Sequence, residues 1–111
     1  MEASASTPAA AADKARISQL TSEAEGDATG QKYIDIGMIQ FGCQQYDQAL
    51  SNLDKGIKKG GGKAPTNAKL VYGITQFQKG DREGARNTFK SLSNDKVLGK
   101  VASTWILRTY N

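Results

Sequence analysis

The feature of this sequence that most constrains its fold is an internal repeat with a period of 36 residues. Periods of about 20 to 50 residues are typical of chains that stack similar supersecondary units, each burying its apolar face against the next. Five positions in the first unit match the residue class found one period later, which favours a repeat over coincidence. The pairs are Ile36 and Tyr72, Gly37 and Gly73, Phe41 and Phe77, Ala49 and Ala85, and Leu53 and Phe89.

Apolar residues within each unit follow the period of an α-helix. Ile34, Met38 and Phe41 have i, i+4, i+7 spacing, and residues 70–77 repeat that pattern in the second unit. After a short break, residues 46–57 and 85–92 resume a helical pattern. Neither unit has the alternating β-branched run of a strand. Each unit is therefore predicted to be a helix, a short turn and a second helix.

Glycine, proline and aspartate mark the predicted helix ends. Gly80 is placed to end a helix because glycine adopts the left-handed conformation without a Cβ clash. Asp81 is placed to cap the next helix. The three glycines of residues 60–62 end the helix that begins near Tyr46, since each costs about 1 kcal/mol in a helix. Pro65 suits the first turn of the following helix, where its missing N–H is not needed.

Two flanking segments extend this array. Residues 12–25 are predicted to form an amphipathic helix, and Ile17 stands one period before Leu53, which makes this helix the second half of an incomplete preceding repeat. Residues 95–110 are predicted to form a closing helix that covers the last repeat. The predicted helices are about six in number and span residues 12–25, 29–44, 46–59, 65–79, 81–92 and 95–110.

The chain is long enough for one domain with one core. We assign residues 12–111 to a single helical domain, with repeats at about 30–64 and 65–94. Residues 1–11 are mostly Ala, Ser, Thr and Pro with a single charge, and we expect them to be a flexible leader. The alternative is that they follow a removed export signal.

These positions resemble the pattern of the tetratricopeptide repeat (TPR) family, in which Leu-Gly, an aromatic residue, Tyr, Ala and Phe recur. The resemblance covers residues 30–95 directly and implies an all-α fold, a right-handed α-α superhelix of antiparallel helix pairs. The residues that carry it are Ile36-Gly37, Phe41, Tyr46, Ala49 and Leu53 in the first repeat, and Tyr72-Gly73, Phe77, Gly80-Asp81, Ala85, Phe89 and Leu92 in the second.

The sequence also departs from the TPR pattern. Gln40 and Gln76 stand where an aromatic residue is usual, and Gln44-Gln45 replaces the common Gly-Asp. The run 58–65, followed by 70–74, resembles the C-terminal region of a group of proteobacterial TPR proteins, which implies a bacterial origin. The compartment stays open between bacterial cytoplasm and periplasm, with envelope association as an alternative.

No catalytic or metal-binding constellation is evident in the sequence. Histidine, the usual general base and zinc ligand, is absent. The single cysteine, Cys43, is expected to be a partly buried packing residue. The Gly-Gly-Gly-Lys run at 60–63 precedes Ala64 in place of Ser or Thr and follows a predicted helix, so we do not interpret it as a phosphate loop. We predict no enzyme activity, no cofactor and no metal.

Charge is unevenly distributed, since residues 1–50 carry three basic and seven acidic side chains, whereas residues 51–111 carry twelve basic and four acidic ones. Solvated lysines are our first interpretation, and an acidic partner or head-to-tail stacking are alternatives. Lys55, Lys58, Lys59, Lys63 and Lys69 lack interleaved aromatics for base stacking, so nucleic acid is not a predicted partner. No apolar run approaches the ~20 residues of a membrane span, so membrane insertion is not predicted.

In TPR arrays the first helices of successive repeats line an inner groove, and by position the resemblance assigns such a surface here. This surface, the inner face, is largely apolar and suits an extended or helical peptide with apolar anchors. We therefore predict a scaffold that binds a protein or peptide and belongs to a longer TPR protein. The inner face consists of Gln31, Ile34, Met38, Phe41, Asn67, Leu70, Ile74 and Phe77.

Two other interpretations stay open. The chain is either a scaffold with a ligand or a capping or dimerisation element of a repeat array with no separate ligand, and the oligomeric state is open. The inner face also has the composition of a core. In that interpretation the helix at 12–25 covers Ile34, Met38 and Phe41, and the closing helix covers the apolar residues at 70–77.

Overall fold

The computed structural model describes the backbone of residues 8–61 and 65–110, with side chains from residue 12 onwards. Within these ranges the chain forms six α-helices and no β-strand, which confirms the predicted all-α fold. The helices are α1 (Pro8–Ala24), α2 (Gln31–Gly42), α3 (Tyr46–Gly60), α4 (Thr66–Lys79), α5 (Arg82–Ser91) and α6 (Gly99–Arg108).

Two helices start four residues away from the predicted position, and the other starts agree within two residues. α1 begins at Pro8, inside the expected leader, while residues 1–7 of that leader lie outside the described residues. α6 begins at Gly99 and not at residue 95. The Asp95 carboxylate accepts hydrogen bonds from the backbone N–H groups of Val97 (2.9 Å) and Leu98 (2.8 Å). The Gly99 N–H also donates to the Asp95 carbonyl at 3.0 Å, so Asp95 caps a turn that leads directly into α6.

The helices pack in chain order, each against the one that follows, and the most extensive contact joins α2 to α3. α2 also touches α4, so the first helices of the two repeats are neighbours. The molecule measures 40 × 38 × 20 Å along its principal axes. Its shortest dimension matches two layers of helices about 10 Å across. This arrangement is compatible with the expected superhelix, whose handedness stays a prediction.

A glycine on the first helix comes close to the second helix in each pair, and in the first pair Gly30 and Gly56 come at least as close to each other. A Cβ atom on Gly37 would lie 2.6 Å from Cγ of Leu53, and a Cβ atom on Gly73 would lie 2.6 Å from Cε1 of Phe89. Leu53 and Phe89 are fully buried, so neither side chain has free space into which to move. The two contacts stand one period apart, so the sequence repeat is also a repeat of packing.

The turn between the two helices of each repeat recurs as well. Gln44 and Gly80 both have positive φ, 61° and 101°. Each donates its N–H to the carbonyl three positions back at 3.0 Å, and the next residue donates to the carbonyl five positions back at 2.9 Å. This pair of bonds is the Schellman motif. The predicted cap is confirmed, since the Asp81 carboxylate accepts the Gly84 N–H at 2.9 Å.

Apolar clusters between successive helices form the core. The first joins α1 to α2, the second joins α2 to α3 and α4, and the third joins α4 to α5 and α6. Each cluster therefore links one helix pair to its neighbour in the stack. Their buried members are Leu20, Ala24 and Ile36 in the first, Ile34, Leu53 and Ala68 in the second, and Ala85, Phe89, Leu92 and Ala102 in the third.

Asp27 organises the turn between α1 and α2. Its carboxylate accepts hydrogen bonds from the Thr29 hydroxyl (2.7 Å), the Thr29 N–H (3.0 Å) and the Lys32 N–H (3.0 Å). The Thr29 hydroxyl in turn accepts the N–H of Gln31, at the start of α2. These bonds lower the pKa of Asp27 from 3.8 to about 2, with the Thr29 hydroxyl as the largest cause. Side chains before the helix thus satisfy its first donors.

We predict that Gly37→Ala and Gly73→Ala each destabilise the fold by about 1–3 kcal/mol, because the added methyl group collides with a buried side chain. Chemical denaturation monitored by circular dichroism measures the change. Gly42→Ala is the matched control, since a Cβ there meets nothing within 4 Å. That variant should be more stable by about 0.5–1 kcal/mol, because alanine favours helix. Equal effects at all three positions would contradict the packing model.

The second prediction concerns the stability of the fold at low pH. The pKa of Asp27 is lower in the folded chain, so its stabilising contribution is present above about pH 4 and is lost as the pH falls towards about 2. Asp27→Asn should therefore lower the melting temperature at neutral pH, and the gap to wild type should close between about pH 4 and pH 2. A carboxyl carbon titration by NMR that placed the Asp27 pKa near 3.8 would contradict this explanation.

Candidate functional site

The α2 half of the inner face is divided between core and surface. Ile34 is 2% exposed and Met38 is half-buried, and both belong to the cluster that joins α2 to α3 and α4. Phe41 is half-buried, with its ring centroid 6.0 Å from that of Tyr46. Gln31 is exposed at the start of α2. Ile34 therefore contributes packing, while the other three retain surface that a ligand can reach.

The α4 half of the inner face is more uniform. Asn67 is exposed, whereas Leu70, Ile74 and Phe77 are half-buried against the cluster that joins α4 to α5 and α6. The Phe77 ring meets the Trp105 indole edge-to-face, with centroids 5.5 Å apart and planes at 71°. Aromatic pairs favour this arrangement. Each of the three apolar side chains thus has one side on the core and another towards solvent.

The helices that cover the inner face are only partly those expected. α6 reaches the inner face at Phe77, whose ring meets Trp105, while Leu70 and Ile74 pack against the cluster that α5 and α6 share. Ile34 and Met38 instead pack with residues of α3 and α4, whereas α1 packs against Ile36. Positions 34 and 36 point about 200° apart on a helix. The expectation that the helix at 12–25 covers Ile34 and Met38 is therefore wrong, because α1 lies against the opposite side of α2.

Polar side chains border the apolar part of the inner face. Gln31 and Asn67 stand one period apart and lie in the first turns of α2 and α4. Both are exposed, and the Gln31 amide donates to the Asp35 carboxylate at 2.8 Å. An amide side chain both donates and accepts hydrogen bonds, which suits the backbone of an extended peptide. The inner face thus combines two amides with apolar contact area.

Two glutamines that depart from the TPR pattern link the helices of each pair. The side-chain oxygen Oε1 of Gln40 accepts a hydrogen bond from the Asn52 side-chain amide at 2.8 Å. Oε1 of Gln76 accepts one from the Thr88 hydroxyl at 2.5 Å. Both bonds join the first helix of a repeat to the second, one period apart. The common offset of 12 residues within each pair is the sequence signal that points to this interaction.

A small hollow lies among α3, α4 and α5, with Asp54, Lys69 and Tyr72 in its lining. Its volume is about 170 Å³, below the roughly 300–1,000 Å³ of typical ligand pockets. Burial is the main cause that raises the pKa of Tyr72, and the Asp54 carboxylate adds to it. The phenol is thus protonated at neutral pH. We assign no ligand to this hollow.

Cys43 was expected to be partly buried, but it is exposed at the end of α2. Its thiol donates to the Asp13 carboxylate at 3.5 Å, and desolvation and Asp13 raise its pKa. A higher pKa lowers the thiolate fraction, and the thiolate is the nucleophile.

Among the described residues, no group of three or more His, Cys, Asp or Glu side chains could hold a metal ion. None of the described helices combines the length and apolar character needed to cross a membrane.

Part of the lysine cluster around the glycine run has internal partners. Lys58 pairs with Asp54 at 3.0 Å. Lys59 donates to the carbonyl oxygens of Ala24 (3.1 Å) and Glu25 (2.9 Å), at the end of α1. A cation at a helix C-terminus complements the unpaired carbonyls. These two lysines therefore stabilise the fold, and Lys63 lies outside the described residues.

No protein-family model, curated protein or solved structure matches the chain. The fold itself defines the chain as an all-α protein in which two equivalent helix pairs are flanked by a helix on each side.

Proposed function

We propose that this chain is a protein-interaction module of the TPR type, whose inner face binds an extended or helical protein segment. The observation that carries the proposal is the combination of side chains on that face. Half-buried apolar side chains of α2 and α4 lie beside the exposed amides of Gln31 and Asn67. Apolar anchors of a ligand would contact the apolar side chains, and the backbone of the ligand would hydrogen-bond to the two amides.

Recurrent packing supports the assignment to the TPR type. The glycine contact, the turn after the first helix and the bond between the paired helices all return after one period. A repeat of this kind orients α2 and α4 in the same way, so their outward side chains form one continuous surface. The proposal concerns binding and contains no catalytic step.

The second candidate is a structural element of a repeat array with no separate ligand. It is favoured by the burial of the inner face itself, since Ile34 is 2% exposed and Leu70, Ile74 and Phe77 pack against the third cluster. In this alternative the apolar positions serve only to join one helix pair to the next.

Selection of peptides from a random displayed library on the immobilised full chain separates the two candidates. The variant Gln31→Ala/Asn67→Ala removes both amides and leaves the apolar packing intact. Loss of two hydrogen bonds at about 1 kcal/mol each predicts about 30-fold weaker binding of the selected peptides, measured by fluorescence anisotropy. The matched control is Gln19→Ala/Gln48→Ala, which removes two exposed amides from α1 and α3. Its affinity should stay within about twofold of wild type.

Backbone NMR resonances of the bound chain identify the surface. The proposal predicts that the largest shifts occur in α2 and α4. Failure to select any specific peptide, or equal affinities of the two double variants, would contradict the proposal and favour the structural candidate. Circular dichroism of both variants must show wild-type helix content and melting temperature for the comparison to count.

A further inference from the structure

Exposed large apolar side chains are concentrated on one part of the surface. Among the described residues, every large apolar side chain classed as exposed lies between positions 97 and 110. Val97 is 81% exposed, Leu107 69%, Tyr110 63% and Val101 42%. An isolated exposed apolar residue needs no explanation, but a cluster on one element indicates a contact surface. The rest of the described surface offers no second cluster of this kind.

α6 has two faces of different character. Ala102, Trp105 and Ile106 pack into the third cluster. Val97 and Val101 stand one turn apart on the other side, and Lys100 and Leu107 form the adjacent row. We call this second surface the α6 outer face. It consists of Val97, Lys100, Val101, Leu107 and Arg108, whereas Tyr110 lies towards α5, against Arg86.

The C-terminal end of α6 is fixed by α5, so the backbone that carries the α6 outer face is held in place before any contact. Arg86 donates through Nε to the Thr109 hydroxyl at 2.9 Å and through Nη2 to the Thr109 carbonyl at 3.1 Å. Its guanidinium carbon lies 3.9 Å from the centroid of the Tyr110 ring. A preorganised surface loses less conformational entropy on binding.

The α6 outer face is also strongly basic. Residues 96–110 contain Lys96, Lys100 and Arg108 and no acidic side chain. All three are exposed, and none forms an ion pair with a carboxylate of the described part of the chain, although Arg108 lies over the Trp105 ring, 5.0 Å from its centroid. A hollow of about 540 Å³ opens beside Lys96 and Lys100, between α6 and the turn that precedes it, and Asp95, whose carboxylate is bonded to backbone N–H groups, also lines it. Acidic side chains of a partner would meet cations that have no carboxylate partner among the described residues.

We propose that the α6 outer face docks an acidic amphipathic helix of a protein partner. The apolar side chains would contact the apolar stripe of that helix, and its carboxylates would pair with Lys96, Lys100 and Arg108. This site is separate from the inner face and goes beyond the function proposed above. The partner helix would continue the stack in the way that each described helix continues it, by packing along its neighbour.

A second copy of this chain fits the α6 outer face less well. A symmetric dimer brings the same patch of both copies together, so Lys100 and Arg108 would face like charges. Head-to-tail stacking would bring α1 onto α6, but α1 exposes small and polar side chains and no large apolar one among its described positions. Neither arrangement supplies both apolar area and negative charge.

An anionic membrane surface also matches less well. Helices that lie in a membrane interface separate an apolar face from a charged one. Here Lys100 lies between Val97 and Leu107 around the helix, and the apolar side chain of α6 with the largest area, Trp105, is in the core. Interleaved charge and apolar area suit a partner helix whose own charges alternate with its apolar stripe.

The probe is a synthetic helical peptide of about 18 residues, roughly 27 Å long, made of Ala, Leu and Glu. Its leucines follow i, i+4, i+7, i+11 spacing, and its glutamates flank that stripe. Anisotropy titrations with the full chain should give saturable binding that weakens as salt rises. A peptide of the same composition with scattered leucines, and one with Lys in place of Glu, should each bind at least about tenfold more weakly.

Surface variants then locate the site. Lys100→Glu/Arg108→Glu and, separately, Val101→Ser/Leu107→Ser should each weaken binding at least about tenfold. Lys14→Glu/Arg16→Glu reverses two exposed charges on α1 and should stay within about twofold of wild type. Absence of saturable peptide binding, or equal affinities for all three variants, would overturn the proposal.

The same variants test whether a membrane or a second copy of the chain occupies the α6 outer face instead. Binding to mixed phosphatidylcholine and phosphatidylserine vesicles that requires the α6 outer face, without peptide binding, would overturn the proposal in favour of a membrane. A dimer in sedimentation that disappears in Val101→Ser/Leu107→Ser would overturn it in favour of a second copy. Peptides selected on the inner face should bind all three variants as they bind wild type, so a failure here leaves the function proposed above standing.

Discussion

A glycine of the first helix, placed against a large buried side chain of the second, sets the spacing on which the rest of this structure depends. Gly37 faces Leu53 and Gly73 faces Phe89, one period apart. Glycine permits the close approach because it has no side chain. Once the two helices are this close, Gln40 and Gln76 reach hydrogen-bond partners on the second helix. The same spacing leaves the opposite side of the first helix to pack against the next pair.

Much of this architecture follows from the sequence, because a 36-residue period and helical spacing are local signals. The six helices, their order and the cap at Asp81 were predicted from them. The start of α6 was not, since residues 96–98, which Asp95 caps, form a turn that precedes the helix. Left-handed Gln44 was not predicted either, because a non-glycine residue there costs about 1–2 kcal/mol, and the two backbone hydrogen bonds of the turn hold it in place.

The candidate site was less accessible to prediction than the fold. A groove for a peptide and a core both need apolar residues at the same helical positions, so spacing alone does not separate them. Ile34 and Met38 illustrate the limit, because only the placement of α4 decides how far each is covered. The α6 outer face carries a different signal, in which exposed apolar side chains coincide with cations that have no carboxylate partner among the described residues. The two surfaces point to interactions with different chemistry.

NMR contacts between protons test the central claim most directly, because they report the glycine approach in solution. The structure predicts nuclear Overhauser effects from the Gly37 Hα protons to the Leu53 methyl groups, and from the Gly73 Hα protons to the Phe89 ring. Both sets should be strong, since the atoms concerned are in van der Waals contact. Observation of one set without the other would contradict the equivalence of the two pairs. Absence of both would contradict the packing on which the fold depends.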